Sequence, residues 1–318
     1  MDLPIELREA IENTVSGRTP AELKKAVSVI SDRYRNDSGK GKKLVAVSSD
    51  ADVYAVFRFP ATFAAACDSL SYALEFYDDD IKTVIDVGAG SGAATWASYM
   101  KLSPSGIRCL EREPSMRKTG EKLLDAAPSL KEIVTYENFD LLKDDISGKA
   151  DLVMSSYVLN ELEIDAAVKS AVKMWEATEG LMLIIEPGTP AGFAVIRRIR
   201  EEILKLGGNI VAPCPHEGEC RIAADDWCHF TCRVQRSKLH KLVKEGDAPY
   251  EDEKYAYIAF SRTPAKKASM RVLRHPYITK GQIELQVCTE GENKAVTVRK
   301  RDGELFKKAR KCKQGDSL

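Results

Sequence analysis

The chain has no long hydrophobic run. Its longest apolar stretch, around Gly180 to Pro187, is interrupted by acids and falls far short of the roughly 20 residues that a bilayer-spanning helix needs. A soluble protein with no membrane partner is expected. Net charge of one sign is also missing, since 48 Lys and Arg balance 48 Asp and Glu. With 44% hydrophobic residues, that balance excludes a disordered chain. Gly (20) and Pro (13) are too sparse for a collagen-like or low-complexity segment, and no internal repeat is present. The start, Met1-Asp2-Leu3-Pro4-Ile5-Glu6-Leu7-Arg8-Glu9, has neither the basic-then-apolar pattern of a secretion signal nor the acid-poor, Arg-rich character of a transit peptide. The expectation is a bacterial-type cytoplasmic protein.

What is present is unevenly spread. From Arg262 to Leu318 there are 15 Lys or Arg against 6 Asp or Glu, so this tail carries +9 and the rest −9. A basic C-terminal module of this kind suits a phosphate-bearing partner. Eight cysteines occur, at 67, 109, 214, 220, 228, 232, 288 and 312. Without a secretion signal they are not expected to form disulfides. Four of them crowd into Cys214 to Cys232, which points to a metal or a cluster.

Residues 1–75 read as a helical region. Leu3, Leu7 and Ile11 recur at helical spacing, and Thr19-Pro20-Ala21-Glu22 marks an N-cap with Pro at the first helical position, opening a run through Tyr34. A polar loop is expected over residues 36–43, and a further helix from Pro60 through Tyr77. From Ile81 short apolar runs alternate with helix-length connections: Thr83–Val87, Ile107–Glu111, Ile133–Tyr136, Asp151–Met154 and Leu181–Ile185. This is the texture of a doubly wound α/β domain with a mostly parallel sheet, assigned to residues 76–262. Tyr255–Phe260 is expected to add a late edge or hairpin strand. In residues 263–318, Ile283–Val287 and Ala295–Arg299 predict two strands of a small basic β module.

The run Asp86-Val87-Gly88-Ala89-Gly90-Ser91-Gly92 ends the first strand and enters a helix near Ala93. Glycines there let the backbone turn tightly and approach a ligand, while the helix N-terminus offers free N–H groups. Glu111 ends the second strand about 20 residues later, where an acid accepts hydrogen bonds from a ribose diol. A dinucleotide fingerprint would need Gly at position 93, where Ala93 stands. The Asp-x-Gly-x-Gly-x-Gly run instead resembles the first motif of class I S-adenosylmethionine methyltransferases, and Glu111-Arg112-Glu113-Pro114-Ser115-Met116 resembles their second. The resemblance assigns the cofactor to Asp86, Gly88, Gly90, Gly92 and Glu111, with Asp140 near the adenine. After the fourth strand, Ser155-Ser156-Tyr157-Val158-Leu159-Asn160-Glu161-Leu162 lacks the Asn-Pro-Pro-Tyr signature of amino-methylating enzymes. No catalytic base stands out, and Tyr157, Asn160 and Glu161 individually read as ordinary structure.

The Cys-rich stretch 211–232 lies in a loop rich in Pro, Gly and acids, with no apolar core to join. Soft thiolates suit zinc or an iron–sulfur cluster. Only Cys228 and Cys232 show the close spacing of structural zinc. The wider intervals among Cys214, Cys220 and Cys228 suit a larger cluster, which Cys288 could complete. The segments Ala212-Pro213-Cys214-Pro215-His216, Asp226-Trp227-Cys228-His229-Phe230, Glu251-Asp252-Glu253-Lys254-Tyr255 and Val287-Cys288 together resemble the mitochondrial small-ribosomal-subunit assembly family that includes methyltransferase-like protein 17 and its bacterial relatives. Tyr34-Arg35, Arg58-Phe59-Pro60-Ala61-Thr62, Glu186-Pro187-Gly188-Thr189-Pro190, Ala309-Arg310-Lys311 and Gly315-Asp316 extend the likeness over nearly the whole chain.

The resemblance implies a class I methyltransferase-type fold, a four-iron four-sulfur (4Fe-4S) cluster, and binding to small-subunit ribosomal RNA during assembly. Motif by motif, the ligands would be Cys214, Cys220, Cys228 and Cys288, with Cys232 a spare thiol that keeps zinc as an alternative. Gln314 stands where an aromatic is expected. Arg299, Lys300, Arg301, Lys307, Lys308, Arg310, Lys311 and Lys313 are the phosphate-contact candidates. His216 and His229 are expected beside the site and not as ligands, and Trp227 packed over the loop. The function expected is an S-adenosylmethionine-binding, cluster-containing factor of the small ribosomal subunit, which either methylates ribosomal RNA or serves assembly without turnover. The alternatives are a non-catalytic RNA-binding protein with a vestigial cofactor site, and a zinc-stabilised methyltransferase of another substrate. No DNA partner is expected.

Overall fold

A computed structural model describes residues 2–37, 48–244 and 247–318. Helices α1 (Ile5–Asn13), α2 (Pro20–Asp37) and α3 (Ser48–Leu74) come first. Then follow β1 (Thr83–Val87), α4 (Ala93–Leu102), β2 (Gly106–Glu111), α5 (Pro114–Leu124), the single turn α6 (Pro128–Lys131), β3 (Val134–Asn138) and β4 (Ala150–Ser156). Next are α7 (Ile164–Glu176), β5 (Thr178–Pro187), α8 (Pro190–Lys205), β6 (Asn209–Ala212), β7 (Phe230–Gln235), α9 (Lys238–Lys244) and β8 (Tyr250–Ser261). The chain closes with β9 (Met270–Val272), β10 (Tyr277–Thr279), β11 (Gln282–Thr289), β12 (Asn293–Arg299) and α10 (Glu304–Ala309).

The N-cap expected at Thr19 forms a reciprocal box. The Thr19 N–H donates to Glu22 Oε2 at 2.8 Å, and the Glu22 N–H reaches Thr19 Oγ1 at 3.4 Å. The helix expected from Pro60 begins at Ser48 instead, with Pro60 inside α3. An interior proline forfeits one helical hydrogen bond. The helix tolerates it because Phe57, Phe59 and Phe63 around it are all buried in the main core. Of the polar loop expected over 36–43, Asn36 and Asp37 still belong to α2, and the rest lies outside the described residues.

Strands β1 to β5 are parallel and the eight-stranded sheet runs β3-β2-β1-β4-β5-β8-β6, with β7 as the eighth strand also paired to β8. This is the methyltransferase-type doubly wound sheet expected from the motifs. Its central strands β4 and β5 are buried at most positions because both faces are covered. Leu181, Leu183 and Ile185 enter the core beneath α3 and α4, while Met182 and Ile184 enter the core beneath α7 and α8.

Strand β8 corrects one expectation. It is not an edge strand but an interior one, antiparallel to β5 on one side and paired on the other side with β6 and β7. The two short strands share its length: β6 pairs with residues 259–261 and β7 with residues 250–255. The cysteine loop therefore leaves the sheet at β6 and returns at β7 along the same strand. Among the described residues, Ala256, Tyr257 and Ile258 have a ladder partner only on the β5 side.

The basic tail folds as a second, antiparallel sheet of order β10-β11-β12, with β9 also pairing β11. Gln314 ties it down: its Nε2 donates to the carbonyls of His229 (2.8 Å) and Leu273 (2.9 Å). The amide thus supplies an anchor where an aromatic was expected.

The return strand β7 is held by its first residue. Phe230 is 1% exposed and packs on Tyr72, Tyr255 and Tyr257 at centroid distances of 6.4, 6.1 and 5.2 Å. Replacing Phe230 by Ala should cost about 3–5 kcal/mol of unfolding free energy, as for other buried aromatics. Guanidinium unfolding checks this, and a loss under about 1 kcal/mol would mean that β7 is not anchored there.

Candidate functional site

The first strand delivers the glycine loop to a cavity above the sheet. Gly88, Gly90 and Gly92 have φ of +68°, +56° and +91°, values that L side chains rarely adopt. Gly88 is also pinned sterically, since a Cβ there would lie 2.4 Å from Val158 Cγ2. Gly90 differs: a Cβ would meet only Met116 Cε at 4.0 Å, because its backbone faces open space. Gly88, Gly90, Glu111 and Asp140 line the same cavity, with Tyr54, Met116, Phe139, Ser156, Tyr157 and Glu161 around them.

Glu111 braces this loop. Its Oε2 accepts from the Gly90 N–H at 2.8 Å and its Oε1 from the Glu113 N–H at 2.7 Å. Burial raises its carboxyl and the two N–H donors oppose the rise. Each oxygen keeps a second lone pair, so a ribose hydroxyl could still donate to it. For Asp140 burial acts upward, but the Lys143 ammonium and the Leu142 N–H prevail and hold its carboxyl below the usual range.

Asp86 and Gly92 lie behind the cavity wall. Asp86 is 1% exposed. Its Oδ2 accepts from Thr95 Oγ1 at 2.7 Å, tying β1 to α4, while its Oδ1 has no partner. Burial pushes its carboxyl up to about 7.

The turn after β4 forms the opposite wall, and it holds groups that single-residue reading passed over. Tyr157 has φ +60°, a strained conformation for a side chain of its size. Its N–H donates to the Ile185 carbonyl (2.8 Å) and its hydroxyl to Glu253 Oε1 (2.9 Å). Arg58 donates to the same carboxylate at 3.0 Å and lies 5.2 Å from the Tyr157 ring centroid. Beneath, the fully buried Glu186 accepts from the N–H groups of Leu159 (2.9 Å) and Asn160 (3.2 Å). Burial pushes Glu161 and Glu186 each up to about 8. Arg58 and Glu253 meet from opposite ends of the chain, and the available signal was that each stands inside a motif shared with the family.

A second pocket lies where β8 lacks its outer partner. Cys214, Cys220, Cys228 and Cys288 all line it, with Arg200, His216, Tyr257, Ile222, Leu273 and Arg271. Burial raises the thiols of Cys214 and Cys228, and pushes Cys288 up to about 12. Cys232 is elsewhere: it projects from β7 into the main core. His216 Nε2 is 3.6 Å from Cys288 Sγ. Trp227 stacks on His229 at 5.2 Å, and its indole N–H donates to the Gly188 carbonyl at 2.9 Å, so it packs over the loop. Among the described residues, no three His, Cys, Asp or Glu side chains are set to hold a metal ion.

Arg299, Lys300, Arg301, Lys307, Lys308, Arg310, Lys311 and Lys313 are all exposed on β12, α10 and the turns around them. Lys313 turns back toward α3, its Nζ 3.7 Å from Asp68. Among the described residues, no helix is long and apolar enough to cross a membrane.

The sequence model of the family described as "Mitochondrial small ribosomal subunit Rsm22" matches residues 48–318. The chain belongs to the Rsm22 family. It is 26% identical over 260 residues to the human "Ribosome assembly protein METTL17, mitochondrial", covering 74% of this chain and 55% of that protein. It is 24% identical over 287 residues to the "Rsm22-cox11 tandem protein 2, mitochondrial" of Schizosaccharomyces pombe, covering 73% and 38% respectively. The chain thus spans about half, or less, of the curated relatives it matches. Among solved structures, a magnesium protoporphyrin IX methyltransferase from Synechocystis with bound S-adenosylmethionine is 14% identical with a TM-score of 0.42, over 76% of this chain and 97% of that one. The plantazolicin methyltransferase is 11% identical with a TM-score of 0.43, over 77% and 98%. The fold assignment rests on the sheet order of this chain itself. The relatives overturn the bacterial-type cytoplasmic location: the human and fission-yeast proteins and the family are all described as mitochondrial.

Asp86 makes a pH prediction with a definite sign. Its carboxyl is raised in the fold, so the native state holds a proton that the unfolded chain has released, and stability falls as pH rises from about 4 to about 7. Asp86→Asn removes that term. Its stability relative to the unmodified protein should climb across this window and level off above it, as read by guanidinium unfolding at a series of pH values. A difference independent of pH would show that Asp86 is not protonated in the fold.

Proposed function

We propose that this chain is an S-adenosylmethionine-binding, iron–sulfur-containing factor that acts on the small ribosomal subunit and grips its RNA through the basic C-terminal sheet. The observation that carries the reading is the convergence of Cys214, Cys220, Cys228 and Cys288 on one pocket at the gap along β8. Four thiols without a competing carboxylate are a soft donor set. Such a set suits zinc or an iron–sulfur cluster, and the wide sequence intervals among Cys214, Cys220 and Cys228 favour the larger body of a cluster. These four cysteines would hold it. Three come from the loop and Cys288 from β11, so the cluster would cross-link the loop to the basic sheet.

Gly88, Gly90, Glu111 and Asp140 would receive the cofactor, with Asp86 and Gly92 shaping the loop from behind. When bound, S-adenosylmethionine would supply an electrophilic methyl group. The chain's own contribution is to orient it: the Glu111 carboxylate and the helix N-terminus at Ala93 fix the loop, and Tyr157 closes the far wall. The ribosomal setting is supported by membership of a family described by the small ribosomal subunit and by likeness to a ribosome assembly protein. Arg299, Lys300, Arg301, Lys307, Lys308, Arg310, Lys311 and Lys313 would meet phosphate.

Anaerobic purification followed by an absorption spectrum with iron, sulfide and zinc analysis tests the reading. A brown protein with about four irons per chain is expected; a colourless one carrying one zinc, with no iron or sulfide after reconstitution, would overturn it. Cys220→Ser should bleach the spectrum and weaken binding to small-subunit ribosomal RNA, because the sheet is no longer clamped. Gly90→Arg should abolish S-adenosylmethionine binding in calorimetry while leaving the circular dichroism spectrum unchanged, since the new side chain would point into the cavity. In a salt titration of RNA binding, Lys308→Ala and Lys311→Ala should each lower the slope of log K against log salt by about 1. An unchanged slope would remove that residue from the contact surface.

A further inference from the structure

Two arginines are buried in the wall of the four-thiol pocket, and neither has a buried carboxylate to balance it. Arg200, on α8, is 5% exposed. Its Nη2 donates to the carbonyls of His216 (3.2 Å) and Gly218 (2.6 Å), and its Nε has no partner. Among the described residues, no carboxylate forms an ion pair with it. Arg271, on β9, is 2% exposed and donates from Nε to the Pro213 carbonyl (2.9 Å) and from Nη1 to the Gly315 carbonyl (2.8 Å). Among the described residues its one ion-pair partner is Glu75, at 3.7 Å, whose side chain is 46% exposed.

A guanidinium cannot shed its proton in a protein, and a buried charge without a counter-charge is among the costliest features a fold can carry. Carbonyl oxygens solvate these two arginines without neutralising them. A third arginine, Arg197, also lines the pocket, but it is partly exposed and lies 3.8 Å from Glu201; the rest of the wall is apolar apart from His216, Tyr257 and the four sulfurs. The balancing negative charge therefore belongs to whatever occupies the pocket.

We propose that Arg200 and Arg271 are the built-in counter-charge of this pocket, which makes it a seat for a dianion, and that Arg200 sets the redox equilibrium of the cluster held there. The inference rests on the cluster reading above. An oxidised four-iron cluster with its four thiolates carries two negative charges, matched by the two guanidinium groups. Gaining one electron raises that to three, so each buried cation favours the reduced form. One unit charge felt across about 6 Å at an effective dielectric near 20 changes an equilibrium constant roughly a hundredfold. For a one-electron couple at 59 mV per tenfold, that is about 120 mV.

The experiment is an anaerobic redox titration of the reconstituted full chain, with dithionite supplying the electron, on the unmodified protein, Arg200→Gln and Arg200→Lys. Arg200→Gln keeps a donor for the Gly218 carbonyl but drops the charge, whereas Arg200→Lys keeps the charge and loses the fork. The midpoint potential should fall by the equivalent of roughly a hundredfold in Arg200→Gln and stay near the original in Arg200→Lys. The rise in thermal midpoint on reconstitution should likewise shrink in Arg200→Gln and return in Arg200→Lys. Equal potentials in all three proteins would overturn the proposal. Equal falls in both variants would also overturn it, by assigning Arg200 to hydrogen bonding alone. If the unmodified protein takes up no iron or sulfide, the cluster reading itself fails, and that outcome is separate from a loaded cluster that ignores Arg200.

Discussion

Everything distinctive in this molecule hangs on how β8 is hydrogen-bonded. Along one edge it pairs with β5 over seven registered positions, and this fixes the parallel sheet to the last third of the chain. Along the other edge its bonds are divided between β6 and β7, and the stretch left between them opens onto the cysteine pocket. Glu253, in the half covered by β7, reaches Tyr157 and Arg58 at the other site. One strand therefore holds two pockets in fixed relation.

The glycine cavity depends on a chain of small steric and polar fits more than on any single strong contact. Gly88 must be bare because Val158 occupies the space a Cβ would need. Val158 stays there because Glu186 holds the N–H groups of Leu159 and Asn160 just beyond it. Burying two acids as deep as Glu186 and Asp86 is costly, and each recovers part of that cost by organising a turn against the loop.

Much of this fold was legible in the sequence, and for physical reasons. Strands buried on both faces read as unbroken apolar runs, so β1, β2, β4 and β5 announced themselves within two or three residues at each end. The short strands β6, β9 and β10 did not, because three or four residues carry too little pattern to separate from loop. Strand β7 was obscured differently. Phe230, Cys232 and Val234 alternate inward in the strand pattern, but Cys232 drew attention as a thiol and not as a core side chain. At the sites, residue types near each other in sequence, such as Gly88, Gly90 and Glu111, could be grouped by spacing. Arg58 with Glu253, and Arg200 with the cysteines, could not, since only the folded chain brings them together. Pro60 misled in the usual way: a residue that commonly starts helices sits inside one here because burial outweighs its local penalty.

The cysteine loop leaves from β6 and returns to β7, two strands paired to the same edge of β8, and this gives it an unusual independence. A loop whose two feet are paired to one strand can lengthen, shorten or exchange its chemistry without altering the order of the sheet. In evolutionary terms such a loop can be grafted: its residues can change while the fold keeps its glycine loop, its crossover helices and the cavity above the sheet intact.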